Sequence, residues 1–130
     1  MLQKENRLAK KRDFDLILKY GYWVRSPWLG IRVLDLARNR HYFPKKEDPD
    51  KFEKQLKMAF SVGLKFSKSA VERNRLRRQL REVVRLLVKT PGVREGFYVL
   101  VVPQVKIREK NYAEISEEMR LLFTRARLLK

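Results

Sequence analysis

The chain has 130 residues, 44% of them hydrophobic, and carries 32 Lys and Arg against 15 Asp and Glu, a formal charge of +17. That apolar content excludes a disordered polyelectrolyte, and the charge, far beyond what solubility requires, points to a polyanionic partner. With no cysteine and a single histidine, His41, disulfide scaffolds and Cys/His zinc sites are excluded, and a histidine-based catalytic site has little to stand on.

The N-terminus, Met1 to Glu5, opens no apolar run resembling a secretory signal, so a cytoplasmic chain forming one domain over residues 1–130 is the simplest expectation. A basic arm over 4–12 (Lys4, Arg7, Lys10, Lys11, Arg12) leads into a short helix from Asp13 to Tyr20, with Phe14, Ile17 and Leu18 at helical spacing and Gly21 as its stop. Trp28 to Leu34 reads as a strand after the Ser26-Pro27 breaker, with Gly30 marking a bulge or a close approach. Residues 37–54, with Pro44, Pro49 and the run Lys45-Lys46-Glu47-Asp48, read as a long loop or extended hairpin, and His41 within it as surface. Leu56, Met58, Phe60 and Val62 alternate with Lys57, Ala59, Ser61 and Gly63, the pattern of a strand with one buried face. Lys65 and Lys68 follow in the connection, and Ser69 with Glu72 has capping-box spacing.

From Ser69 the chain predicts its most informative helix. Leu76, Leu80, Val83, Val84 and Leu87 fall on one stripe, while Asn74, Arg77, Arg78, Arg81 and Arg85 gather on the flank and back. Glu82 is the one acid among the arginines of residues 73–85. A helix needing only a solvated face mixes signs for mutual support, so this self-repulsion implies an absent anion. Arginine suits phosphate because its planar fork donates two parallel hydrogen bonds and keeps its charge. The helix N-terminus adds free amides and a partial positive charge. After Pro91-Gly92 and Gly96, the apolar run 97–102 reads as a central strand covered on both faces, and Asn111 with Glu114 caps a last helix carrying Ile115, Met119, Leu122, Phe123 and Ala126 on one side.

The resulting order, helix, strand, strand, helix, strand, helix, predicts an α/β sandwich with helices packed on a small sheet. A first helix packed beside the face carrying Lys57, Ala59 and Ser61 would leave a shallow groove near Phe14, of the kind that binds a single strand by stacking and backbone charge. Trp23, Trp28 and Tyr22 read as packing residues. An anionic membrane surface would also attract the charge, but no long apolar run spans or anchors. The acids are scattered, with Glu47, Asp48, Asp50 and Glu53 in the insertion and Glu114, Glu117 and Glu118 on the last helix. With no phosphate loop either, hydrolysis by the protein alone is the poorer reading.

Over most of its length the chain resembles the protein subunit of bacterial ribonuclease P. The likeness runs through Asn6-Arg7-Leu8, Asp13-Phe14, Gly21, Ser61-Val62, Lys65, Ala70-Val71, Arg73-Asn74-Arg75-Leu76-Arg77-Arg78 and Arg81-Glu82, then the strand 97–102 and the last helix. The resemblance implies an α/β two-layer sandwich with a left-handed strand-helix-strand crossover, similar to the second domain of ribosomal protein S5. It also implies a third early strand. By the same resemblance the chain assists an RNA enzyme that removes the 5′ leader of precursor transfer RNA, with the chemistry carried by ribonuclease P RNA and its Mg²⁺, and with no small-molecule cofactor. The implied leader-binding residues are Phe14, Ser61, Arg73, Asn74, Arg77 and Arg81; the implied catalytic-RNA contacts are Lys65, Lys68, Arg75 and Arg78. Leu18 and Arg32 stand where many relatives carry aromatics and Gly30 replaces a bulkier strand residue, which shifts the expected leader contact from stacking toward charge. The passage Leu64-Lys65-Phe66-Ser67-Lys68 is one residue longer than the family's usual Lys-Lys-x-Gly, and the insertion 37–54 is longer than typical. The alternative reading is a ribosomal or general RNA-binding module with no role in processing.

Overall fold

The computed structural model describes residues 6–43 and 49–130; Lys4 of the basic arm and the run from Pro44 to Asp48 lie outside them. The elements are α1 (Lys11–Tyr20), β1 (Tyr22–Arg25), β2 (Leu29–Asp35), a one-turn α2 (Pro49–Phe52), β3 (Leu56–Phe60), α3 (Ala70–Lys89), β4 (Phe97–Pro103) and α4 (Tyr112–Arg125). The strands form one sheet in the order β1-β2-β4-β3. The β1, β2 and β4 pairings are antiparallel, whereas β3 and β4 run parallel and are joined through α3. The predicted central position of the 97–102 run holds, and its one parallel neighbour is β3.

Alternation along the strands divides the core in two. On one face Leu29, Ile31, Val33, Met58, Val99 and Val101 meet the stripe of α3 and the buried side of α4. Each apolar position predicted for the α3 stripe is buried, and so are those predicted for α4. On the other face Ile17 of α1 packs with Leu34, Tyr98, Leu100 and Ala59. Strand β3 therefore has two covered faces where the alternation predicted one: Ala59 is small because α1 and the N-terminal arm approach it, and smallness is not polarity. Strand β1, absent from the residue-by-residue reading, is the third early strand the resemblance implies. Its four residues bury neither face fully, so they carry no clear alternation.

The insertion is partly core. Phe43 and Phe52 are buried and meet edge to face at 4.6 Å between centroids, with Tyr98 beside Phe43 at 6.0 Å. Two isolated aromatics in a polar run have no period, which is why composition read only a loop. Gly21 does end α1, but in extended backbone (φ −71°) rather than left-handed. Glycine is needed there for closeness, since a Cβ would lie 2.5 Å from the Ile17 carbonyl oxygen. The capping box predicted at Ser69 forms only in part. The Ser69 hydroxyl accepts from the Glu72 amide, but the Ser69 amide donates to Ser67 Oγ at 3.0 Å and the Glu72 carboxylate turns to Arg108 at 2.7 Å. At α4 both halves close: Glu114 N donates to Asn111 Oδ1 at 2.9 Å and Asn111 N to Glu114 Oε1 at 3.0 Å. Asn111→Ala is accordingly expected to cost about 1 kcal/mol of stability, measurable as a lower urea midpoint with an unchanged slope.

Candidate nucleic-acid interface

Because the stripe of α3 is locked into the core, its arginines are fixed outward in two directions. Arg73, Arg77 and Arg81 recur every four residues and form one ridge, while Arg75 lies two residues from Arg77 and so roughly 160° away around the helix. The first ridge is braced by backbone. Arg73 Nη1 donates to the Ser67 carbonyl at 3.0 Å, Arg77 Nη2 to the Val62 carbonyl at 2.9 Å, and Arg77 Nη1 to Asn74 Oδ1 at 2.7 Å. Carbonyls orient a guanidinium without cancelling its charge, and five N–H groups leave donors to spare.

Neutralisation is limited to the ends of α3. Arg85 is paired with Glu82 at 2.6 Å, and Glu72 with Arg108 at 2.7 Å. The Ser67 hydroxyl and Arg108 beside Glu72 hold its carboxyl below the usual range, and Arg85 does the same for Glu82. Arg85, placed by its spacing with the unpaired row, therefore leaves it. No ion pair occupies Arg73, Arg75, Arg77, Arg78 or Arg81 among the described residues.

Between α1, the outer edge of β3 and α3 lies a cleft of about 290 Å³ lined by Arg7, Leu8, Phe14, Met58, Ala59, Phe60 and Arg81. Its outer wall is the N-terminal arm, stitched to β3 by Leu8 N donating to Met58 O at 2.9 Å and Asn6 Nδ2 to Leu56 O at 2.8 Å. Phe14 is half-buried, so it packs on the core with one side and lines the cleft with the other. Exposed Ser61 extends β3, its amide donating to Val101 O at 2.9 Å, and stands next to the Val62 carbonyl that anchors Arg77. Of the six residues implied for the leader, Phe14 and Arg81 line this cleft, Ser61 follows the end of β3, and Arg73, Asn74 and Arg77 continue along α3 toward its N-terminus. A groove lies beside the first helix as expected, but of the strand residues expected to face it only Ala59 does so, with neither Lys57 nor Ser61 in its lining.

The other four residues diverge from it. Arg75 and Arg78 are exposed on the flank and back of α3, and Lys65 and Lys68 are exposed in the connection before it. Arg75 borders a second hollow, of about 380 Å³, shared with Phe66, Glu72, Gln79, Arg108 and Lys110. Arg108 stands 5.1 Å from the Phe66 ring centroid and Lys110 4.0 Å from that of Trp28. Sequence reasoning missed these two cations, since only the fold brings the segment before α4 against α3. Among the described residues no group of three or more His, Cys, Asp or Glu converges as a metal site would require, and no helix is long and apolar enough to cross a membrane.

Comparison with known proteins gives a consistent result. Residues 2–127 match the family described as Ribonuclease P. The chain is 31% identical over 129 residues to a ribonuclease P protein component from Synechococcus sp., covering 99% of this chain and 87% of that one. It is 27% identical over 129 residues to a counterpart from Pseudanabaena sp., covering 99% and 97%. Among solved structures, the RNase P protein from Thermotoga maritima superposes with a TM-score of 0.67 at 25% identity, over 92% of this chain and 96% of that one. The RNase P protein from Staphylococcus aureus, at 20% identity, shares the fold with a TM-score of 0.70 over 100% and 96%.

Proposed function

The chain belongs to the ribonuclease P protein family, and from that premise we propose how it works: as the RNA-binding subunit of an endonuclease that removes the 5′ leader from precursor transfer RNA, cleavage being carried by the RNA subunit. The observation that supports this division of labour is the ridge Arg73, Arg77 and Arg81, without an ion pair among the described residues, whose first two members are braced by backbone carbonyls and whose third lines a cleft that also presents Phe14. Such a cleft holds a single strand by phosphate pairing and a base face, with little reading of sequence.

We assign the Mg²⁺ to the RNA; the carboxylates of the described residues are scattered and bring no group of three together. What the protein contributes is binding. Arg77 and Arg73, with Asn74, Ser61, Phe14 and Arg81 nearby, hold the leader; Arg75, Arg78, Lys65 and Lys68, on the opposite flank and in the connection, hold the catalytic RNA. One rigid helix then links the two RNAs, which raises substrate affinity and lowers repulsion within the RNA fold.

The test is reconstitution with a bacterial ribonuclease P RNA at low Mg²⁺, scoring leader removal with and without the protein. Stimulated cleavage and tighter binding of precursor than of mature transfer RNA are expected; equal binding of the two would favour a general RNA-binding module, and cleavage without added RNA a nuclease. Arg75→Ala with Arg78→Ala is expected to weaken assembly with the catalytic RNA by roughly tenfold and to flatten its salt dependence, since each lost phosphate contact lowers the slope by about 0.7 to 0.9. Preference for precursor over mature substrate should survive in the assembled complex.

A further inference from the structure

The hollow bordered by Arg75 carries features that a surface meeting only phosphates does not need. Glu72, Arg75, Leu76 and Gln79 recur at helical spacing along α3 and form one wall, while Phe66 and the segment 105–110 form the other. The floor is the core itself, through buried Leu76, Ile107 and Ile115. At about 380 Å³ the hollow falls within the roughly 300 to 1,000 Å³ of sites that hold small ligands. Gln79 lies two residues from both Arg77 and Arg81, roughly 160° away around the helix, so the hollow and the leader ridge occupy opposite sides of α3.

The rim is held in place from both sides. Arg108 donates to Glu72 at 2.7 Å and stands over the Phe66 ring at 5.1 Å, so its guanidinium is fixed against an aromatic backing. Lys110 is seated 4.0 Å from the Trp28 centroid. Among the described residues Arg75 has no ion pair and the Gln79 side-chain amide no hydrogen-bond partner. Base-paired RNA presents chiefly phosphates and 2′-hydroxyls, which exposed cations on a helix meet without a hollow. An unpaired base instead offers a flat face, which stacks on aromatic rings and guanidinium planes, and an edge of donors and acceptors. A primary amide both donates and accepts along such an edge.

We propose that this hollow receives one unpaired nucleobase of the catalytic RNA: Phe66 and the guanidinium it backs meet the face of the base, Gln79 meets its edge, and Arg75 and Lys110 meet the flanking phosphates. The proposal rests on the reading above that the catalytic RNA lies on the Arg75 side of α3. It adds a base pocket and three residues from outside that helix, Phe66, Arg108 and Lys110.

The experiment measures binding of the full chain to a bacterial ribonuclease P RNA over a range of salt concentrations. Phe66→Ala should lower affinity by about tenfold and Gln79→Ala by roughly threefold, both with the slope of log affinity against log salt unchanged, because neither removes a phosphate contact. Arg75→Ala should instead flatten that slope by about 0.7 to 0.9. Gln79 is a half-buried rim residue, so its readout does not depend on how well Phe66→Ala folds. A photoreactive p-benzoylphenylalanine in place of Phe66 should crosslink to one unpaired nucleotide of the RNA, and an abasic site at that nucleotide should abolish the effects of Phe66→Ala and Gln79→Ala. Unchanged affinity or a flattened slope in either variant, failure to capture an unpaired nucleotide, or effects that persist in full on the abasic RNA overturns the base pocket alone. A wild-type protein that does not bind the RNA, or an Arg75→Ala variant that binds it as wild type does, overturns the reading of this flank and the inference with it.

Discussion

Arg77→Ala is expected to weaken binding of a leader-bearing precursor by roughly ten- to a hundredfold, the range for losing a hydrogen bond to a charged group, with mature transfer RNA bound as before. Arg77 deserves the larger effect among the ridge arginines because it is held from two sides, by the Val62 carbonyl at 2.9 Å and Asn74 Oδ1 at 2.7 Å. A side chain already fixed gives up little conformational freedom on binding, so more of its interaction appears as affinity. Arg77→Lys separates charge from geometry: it should keep the salt dependence while losing most of the affinity, because an ammonium cannot both take a carbonyl brace and present a fork. Titrations of precursor and mature substrate at several salt concentrations decide the matter. Equal weakening of both substrates by Arg77→Ala would remove this residue from the leader site.

Leu80→Ala should produce the largest loss of stability. Leu80 is fully buried in the middle of the α3 stripe, and Leu-to-Ala changes at such sites cost about 3 to 5 kcal/mol through lost transfer energy and the remaining cavity. For a domain whose total stability is about 5 to 15 kcal/mol that is a large fraction, and a fall in melting temperature of roughly 10 to 20 °C follows. The functional signature should differ from that of any arginine variant. Both ridges ride on the same helix, so precursor preference and assembly with the catalytic RNA should fail together as the helix loosens, and both should recover on cooling. Melting curves run in parallel with binding at two temperatures provide the check; loss of one RNA contact with the other intact would show that the two ridges are not held by a common core.

The chain's periodicities carried most of the α3 and α4 detail. An amphipathic helix writes its buried side into the spacing of its own residues, so the stripe from Leu76 to Leu87, the outward arginines and the Asn111 cap were legible without a fold. The charge that selects a polyanionic partner was legible for the same reason, as a property of the residues present. Resemblance then grouped Phe14, Ser61 and the ridge arginines as one site; of these, Phe14 and Arg81 line a common cleft, while Arg77 is tied to the Val62 carbonyl next to Ser61.

What tertiary structure decided is whatever depends on residues far apart in the chain. That Ser67 and Val62 lend carbonyls to Arg73 and Arg77, that Phe43 and Phe52 join the core, and that Glu72 leaves its own cap for Arg108 have no local signal, because each is a contest between neighbouring and distant partners settled by packing. Strand β1 is the sharpest case: four residues without alternation join the sheet only because their pairing with β2 aligns Trp23 with Arg32 and Arg25 with Gly30. Register is a relation between strands, and no single strand's sequence contains it.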